Sequence, residues 1–449
     1  MSKINWFKRS DDPNSMLCVA ERFGYALSNT GSAWTYILTV AFLTYYYTDV
    51  VGVAPAAIGT IFLISRIFDG FSDIAMGLLI DKTRTKLGKA RPWILIMAIP
   101  NAVCVALAFA VPESLTDMPQ YIFIFVTYNL CTTITYTMVN IPIWAANNLL
   151  TNNAQEHAKS GIWMQIGGSI VLLIVQYTFL NLVDRFGGGR QAWTIAAAIY
   201  SALGGIFVFI SGLLIRERVV SDPEEVKIPI TKRLSALFHN KYWVIFVFSW
   251  LLSGIQWTLI GSGALYYASH ILNDVNKYSI IGPVQTFVMF MAMLVIMTWA
   301  IKVLKPVKVW VLGSVFMLVP SVIQIFITQY WGAIIVCEAI KGLGMAFQIG
   351  SQGALIADSV EYSKMKFGFD VSGVGNAGVN FGSKVGTALA GVIIGWVLAW
   401  YGYDGASAVQ TQSAIIGIKM VYLYLTIVFS AICMLLMIPF DLYKKIKWD

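Results

Sequence analysis

Three charged residues inside one long apolar run pose the first chemical question. In IFLISRIFDGFSDIAMGLLI, residues 61–80, Arg66, Asp69 and Asp73 stand three and four apart, with Ser72 beside them. On a helix the three charged positions fall within about 60° of one another, and Ser72 adjoins them. Two carboxylates one turn apart repel each other and are costly away from water. They are tolerated when a cation lies between them or when one holds a proton. Two carboxylates and a hydroxyl are hard oxygen ligands, suited to a small cation such as sodium. The reading is a cation site at Asp69, Ser72 and Asp73. The alternative is a structural ion-pair cluster with Arg66.

Other runs carry further candidates. In TYTMVNIPIWAANN, residues 135–148, Thr137, Asn140 and Trp144 share one helical face. An indole with amide and hydroxyl neighbours suits a sugar, the ring supporting the C–H face; interhelical hydrogen bonding is the alternative. In VNFGSKVGTALAG, Lys384 lies too deep to reach water by extension and needs a partner, for which the carboxylates of 61–80 are candidates. Glu338 and Lys341 are three apart and can pair with each other, or Lys341 can serve a substrate cavity. Lys419 is expected to extend toward the interface. The loop GLLIDKTRTKLGKARPW, residues 77–93, resembles the loop signature of the major facilitator superfamily, with Asp81 as a conformational latch facing basic residues such as Arg84. A plain run of positive loop charge is the alternative there.

Some patterns carry little. Gly373, Gly375 and Gly378 spell GxGxxG, but no strand precedes them, so close helix packing is expected rather than a dinucleotide site. Cys18, Cys104, Cys131, Cys337 and Cys433 are isolated in apolar stretches and read as packing residues. His157, His239 and His270 form no ligand cluster. No Walker loop, zinc motif or serine elbow is present, so no enzyme and no cofactor is expected.

The elements that must position these groups follow from composition. Of 449 residues, 58% are hydrophobic and 12% charged, and the mean hydropathy is +0.71. A soluble chain carries about a quarter charged residues. The reading is an all-α polytopic membrane protein with a lipid bilayer as its surroundings. Continuous apolar runs exclude a β-barrel. Twelve spans are predicted: 23–47, 55–80, 92–112, 120–146, 160–183, 191–215, 242–271, 279–301, 308–328, 331–357, 372–401 and 412–440. With the N-terminus inside, 24 of the 31 Lys and Arg fall on the cytoplasmic side, three (Arg185, Arg190, Lys277) on the other, and four within apolar runs. That bias places both termini in the cytoplasm. The basic residues sit in short loops, so the formal charge of +8 does not indicate nucleic acid. The polar start, MSKINWFKRSDDPNS, lacks the apolar core of a cleaved signal peptide. The polar stretch 216–241 divides the chain into an N-terminal half, 1–215, and a C-terminal half, 242–449, the layout of carriers with a midplane site.

Taken together, TYYYTDVVGV (44–53), residues 61–77, TRTKLGKARPWIL (83–95), TYTMVNIPIWA (135–145) and ADSVEYSKMKFG (357–368) resemble the glycoside–pentoside–hexuronide:cation symporter family, within the major facilitator superfamily. The resemblance implies that Asp69, Ser72, Asp73 and Thr137 bind the coupling cation. It implies that Lys384 bears on cation and sugar coupling and that Trp144 meets the sugar. Three of the family's sugar-site positions differ: Ala33 and Asn140 stand where aspartates are usual, and Met164 or Gln165 where an arginine is. Tyr25 and Asn29 share the face of Ala33 and join Arg66 and Gln165 as substrate candidates; Asp81, Arg84, Lys341 and Lys384 are coupling or gating candidates. The expected function is sodium-coupled uptake of a glycoside or oligosaccharide in the inner cell membrane, by a monomer. The rivals are a proton-coupled carrier of an acidic sugar and a membrane sugar sensor that does not transport.

Overall fold

The computed structural model describes residue 12 and residues 15–151, 153–219, 229–369, 371–405, 407 and 409–440. Among these the chain is all helical, and its one isolated β-bridge, Thr85 to Gly88, closes a turn. Two compact units are formed. The first comprises Met1–Val53 and Leu63–Asp222, the second Ala54–Phe62 and Pro223–Asp449.

The first unit is built from α1 (Val19–Ile37), α2 (Pro55–Lys82, from Leu63 onward), α3 (Arg91–Ala108), α4 (Asp117–Tyr128), α5 (Thr137–Leu150), α6 (Ala154–Arg185) and α7 (Arg190–Leu214). Two five-residue π-helical segments, Leu38–Phe42 and Tyr46–Val50, continue α1, and an eight-residue one, Asn129–Tyr136, joins α4 to α5. The second unit holds α8 (Ile230–Phe238), α9 (Lys241–His270), α10 (Tyr278–Val295), α11 (Met297–Leu304), α12 (Pro306–Phe326), α13 (Trp331–Phe367), α14 (Ser372–Trp400), α15 (Gln412–Lys419) and α16 (Leu425–Met437), the last two joined by a π-helical Met420–Tyr424.

Ten helical runs among the described residues are long and apolar enough to cross a membrane, and they coincide with ten of the twelve predicted spans. The protein is therefore a multi-pass membrane protein. The other two predictions, 23–47 and 55–80, are helical but fall short of that standard. The first is rich in Ser, Thr, Asn and Tyr, and the second contains Arg66, Asp69 and Asp73. Prediction and structure also differ at two boundaries. The span 331–357 continues to Phe367, where Gly368 ends it at φ 78°, its N–H donating to the Lys364 carbonyl at 2.8 Å. The span 279–301 is broken at Ile296.

Close packing in a hydrocarbon setting depends on small residues and satisfied polar groups. In the first unit α1 crosses α7 at Gly31 and Gly204; a Cβ on Gly31 would meet the Gly204 carbonyl at 2.5 Å. At the polar end of this unit, buried Glu21 accepts from Arg218 at 2.5 Å and also from the Cys18 backbone at 3.1 Å, capping α1. Buried Glu156 accepts from Arg22 at 2.6 Å and Lys159 at 3.1 Å. Burial pushes the Glu156 carboxyl up, but Lys159 and Arg22 outweigh it and hold the group below its ordinary value.

The second unit is pinned by a sealed polar cluster. Glu338 and Lys341 of α13 are completely buried and pair at 3.2 Å, as their spacing suggested. The Glu338 carboxylate also accepts from Gln285 of α10, from Gln324 of α12 and, at 2.8 Å, from the Tyr422 hydroxyl. Lys341 donates to the Gln324 carbonyl at 2.5 Å, and its ammonium lies 4.5 Å from the Tyr422 ring centre. Four segments thus converge on one carboxylate.

Two outcomes follow for stability. Removing one member of the sealed pair strands a buried charge, so Glu338→Gln or Lys341→Met alone should each cost about 3–5 kcal/mol. The double replacement should recover most of that loss in a thermal-unfolding series in detergent. The Glu156 carboxyl, depressed in the folded state, contributes stability above its unfolded value and loses it as pH falls through the folded one. The melting difference between the wild type and Glu156→Gln should therefore be full at neutral pH and close in acid.

Candidate functional site

The sequence candidates of α2 meet the α4–α5 run along a regular ladder. Asn129 donates to the Ser65 hydroxyl at 2.8 Å, Thr133 donates to Oδ1 of Asp69, and Thr137 donates to Oδ1 of Asp73 at 3.3 Å. Each pair advances by four residues on both strands of the ladder. The spacing on α2 is that of an ordinary helical face. On the partner it is achieved through the π-helical Asn129–Tyr136, in which the Thr135 hydroxyl donates to the Leu130 carbonyl at 2.9 Å. Such wide turns recur at functional positions in helices.

Arg66 completes the cluster. Its Nη1 donates to Oδ2 of Asp69 at 2.6 Å and its Nη2 to the Tyr128 hydroxyl at 3.0 Å. The Arg66 and Asp69 side chains are 30% and 23% exposed, unlike the sealed Glu338–Lys341 pair. The ion-pair alternative to a cation site is therefore realised at Asp69, in an open setting. Ser72 lies beside it, but its hydroxyl donates to the Asp69 backbone carbonyl at 2.9 Å. Thr133 was not among the sequence candidates. Its position one turn before Thr137, opposite Asp69, is the signal that finds it.

Of the sugar candidates, Asn140 and Trp144 follow Thr137 on α5. The Asn140 amide donates to the Tyr136 hydroxyl at 3.2 Å, and Trp144 is 52% exposed. Gln165 is exposed on α6. Asn29 donates to the Met164 carbonyl at 3.0 Å, and so ties α1 to α6. Tyr25 departs from the expectation: it is fully buried in the hydrophobic core with Ile94, Val139, Ile143 and Met164. Its apolar ring fills the space between four helices there. Lys341 belongs to the sealed cluster, and Lys384 lies on an exposed face of α14.

Asp81, in the last turn of α2, and Arg84, in the loop that follows, are both exposed. The loop is held instead by Glu217, which sequence reading passed over. Its carboxylate accepts from the backbone N–H groups of Lys89, Ala90 and Arg91 at 2.7, 2.9 and 2.7 Å, at the start of α3. Arg91 in turn donates to the Gly212 carbonyl at 2.6 Å. Gly88, at φ 110°, is required here because a Cβ would strike the Glu217 carboxylate. The GxGxxG segment lies within α14, and Gly375 and Gly378 pack against Trp243, as close packing required. Among the described residues no three His, Cys, Asp or Glu side chains converge as a metal cluster.

A family model described as MFS/sugar transport protein matches residues 24–444. The chain is 31% identical over 436 residues to the isoprimeverose transporter of Lactiplantibacillus pentosus, covering 94% of this chain and 89% of that protein. It is 27% identical over 406 residues to the glucuronide carrier protein homolog of Escherichia coli K12, covering 88% and 86%. Its fold matches the crystal structure of a mutant of the nucleoside transporter NupG with a TM-score of 0.64 at 16% identity, covering 95% and 100%. The chain belongs to the MFS/sugar transport family, that of the glycoside–pentoside–hexuronide symporters.

Proposed function

We propose that this protein is a secondary active symporter that couples inward flow of one kind of monovalent cation, sodium in preference, to uptake of a glycoside or oligosaccharide. The observation that carries the reading is the open ladder of α2 and α5. Two partly exposed carboxylates and two buried threonine hydroxyls lie there on one line, the oxygen-only chemistry a small hard cation needs. Asp69, Asp73, Thr133 and Thr137 are its proposed ligands, with Ser72 adjoining. Asn140, Trp144 and Gln165 are the proposed sugar contacts, and Lys384 the proposed coupling residue. The matching relative named as an isoprimeverose transporter supports a glycoside as cargo.

The proposed architecture is twelve spans in two six-helix halves, 1–215 and 242–449, joined by 216–241. Uptake proceeds by alternating access in the inner membrane, with both termini cytoplasmic. Ten apolar runs, the two further helical segments and the lysine and arginine bias support this layout. A second reading, proton-coupled carriage of an acidic sugar, is favoured by one observation. Arg66 stands partly exposed beside the ladder, and a relative is named for glucuronide.

Sodium coupling predicts that glycoside uptake into vesicles rises with sodium at fixed pH and survives a protonophore. Equal uptake in sodium and choline, with collapse by the protonophore, would favour the proton reading. In Asp69→Asn and Asp73→Asn, concentrative uptake should be abolished while some sugar binding or exchange persists, because an amide lacks the charge that draws the cation. Trp144→Ala should weaken sugar binding by about 1–3 kcal/mol, or roughly ten- to a hundredfold, in a folded protein. Unchanged apparent affinity would remove α5 from the sugar wall.

A further inference from the structure

The nine-residue α8 lies within the predicted polar connection, yet it is amphipathic, ITKRLSALF. Leu234, Leu237 and Phe238 fall on one stripe about 100° wide. Only part of that stripe is covered by protein. Leu237 is buried in a core cluster with Trp243, Val360 and Val371. Leu234 is 37% exposed and Phe238 66%. Arg233 adjoins the stripe and is half-buried, and Lys232 is exposed on the far side of the helix. Lys364 and Lys366 are exposed at the adjoining end of α13, and the Lys366 ammonium reaches the His239 carbonyl at 3.5 Å.

Connectivity decides what this surface meets. The membrane-crossing α9 begins at Lys241, three residues after α8 ends, with Asn240 capping it through the N–H groups of Tyr242 and Trp243 at 3.0 and 3.3 Å. At about 1.5 Å per helical residue, Phe238 cannot stand far from the membrane boundary. An uncovered Phe and Leu on a helix end that carries two cations and neighbours two more match, at that depth, an interfacial helix: the apolar stripe enters the acyl boundary and the cations meet phosphates.

We propose that α8 lies in the plane of the membrane surface and, with Lys364 and Lys366, holds anionic phospholipid headgroups. The helix thereby anchors the connection between the two units to the lipid rather than to solvent.

The full-length protein carrying Phe238→Cys is labelled with a bimane fluorophore, the native cysteines being buried or half-buried. It is placed in nanodiscs of phosphatidylcholine, with or without phosphatidylglycerol. Spin-labelled lipid should quench the label and aqueous iodide should not. Free access of iodide in both membranes would overturn the proposal, as would shielding that persists in lipid-free detergent and grows with protein concentration, which would mark a second copy as the occupant. In a separate variant that keeps Phe238, Lys232→Gln with Arg233→Gln should lower the phosphatidylglycerol retained on purification by about fivefold per charge. Its melting temperature should be unchanged. Undiminished retention would overturn the headgroup assignment even if the labelled variant failed to fold.

Discussion

A carboxylate withdrawn from water must be surrounded by donors, and both units are organised around meeting that demand. Glu21 and Glu156 gather the ends of helices at one pole of the first unit. Glu338 draws α10, α12, α13 and the segment around Tyr422 to one point in the second. Glu217 does the same for backbone donors, with three successive N–H groups closing on one carboxylate. In each case the acid dictates which helices may neighbour one another.

The ion pairs Glu338–Lys341 and Arg66–Asp69 meet this demand in opposite ways. Glu338 and Lys341 have no exposed side-chain surface, both carboxylate oxygens accept within the bundle, and the ammonium donates to Glu338 and Gln324. Nothing can enter or leave without breaking the packing of four segments. Asp69 and Arg66 share the same i, i+3 spacing but remain partly open. The Arg66 guanidinium takes one oxygen of the Asp69 carboxylate and the Thr133 hydroxyl the other. Spacing alone could not tell the sealed pair from the open one; their exposure does.

Much of this was legible in the sequence. Long apolar runs announce membrane helices directly, because hydrocarbon leaves the backbone no other partner. The face shared by Arg66, Asp69 and Asp73 follows from helical periodicity, as does the Glu338–Lys341 pair. What escaped needed a third dimension. Thr133 is one of many threonines until Asp69 is seen opposite it. Glu217 lies well over a hundred residues from the amides it caps. Tyr25 shares a face with Asn29 on the helical wheel, yet its neighbours from α3, α5 and α6 enclose it. The amphipathic α8 was hidden in a stretch whose overall polarity read as a loop.

The π-helical Asn129–Tyr136 has a consequence for how the chain can change in length. A wide turn accommodates one residue more than an α-turn would. Removing more residues than the wide turns hold in excess would rotate all that follows by about 100° per residue. Thr137, Asn140 and Trp144 would swing away together, and the rung to Asp73 would be lost while that to Asn129 stayed in place. Insertions and deletions are readily absorbed where a loop can take up the slack. Here no loop intervenes between the two rungs, so this segment behaves as a ruler whose residue count is as much a part of the site as the side chains it bears.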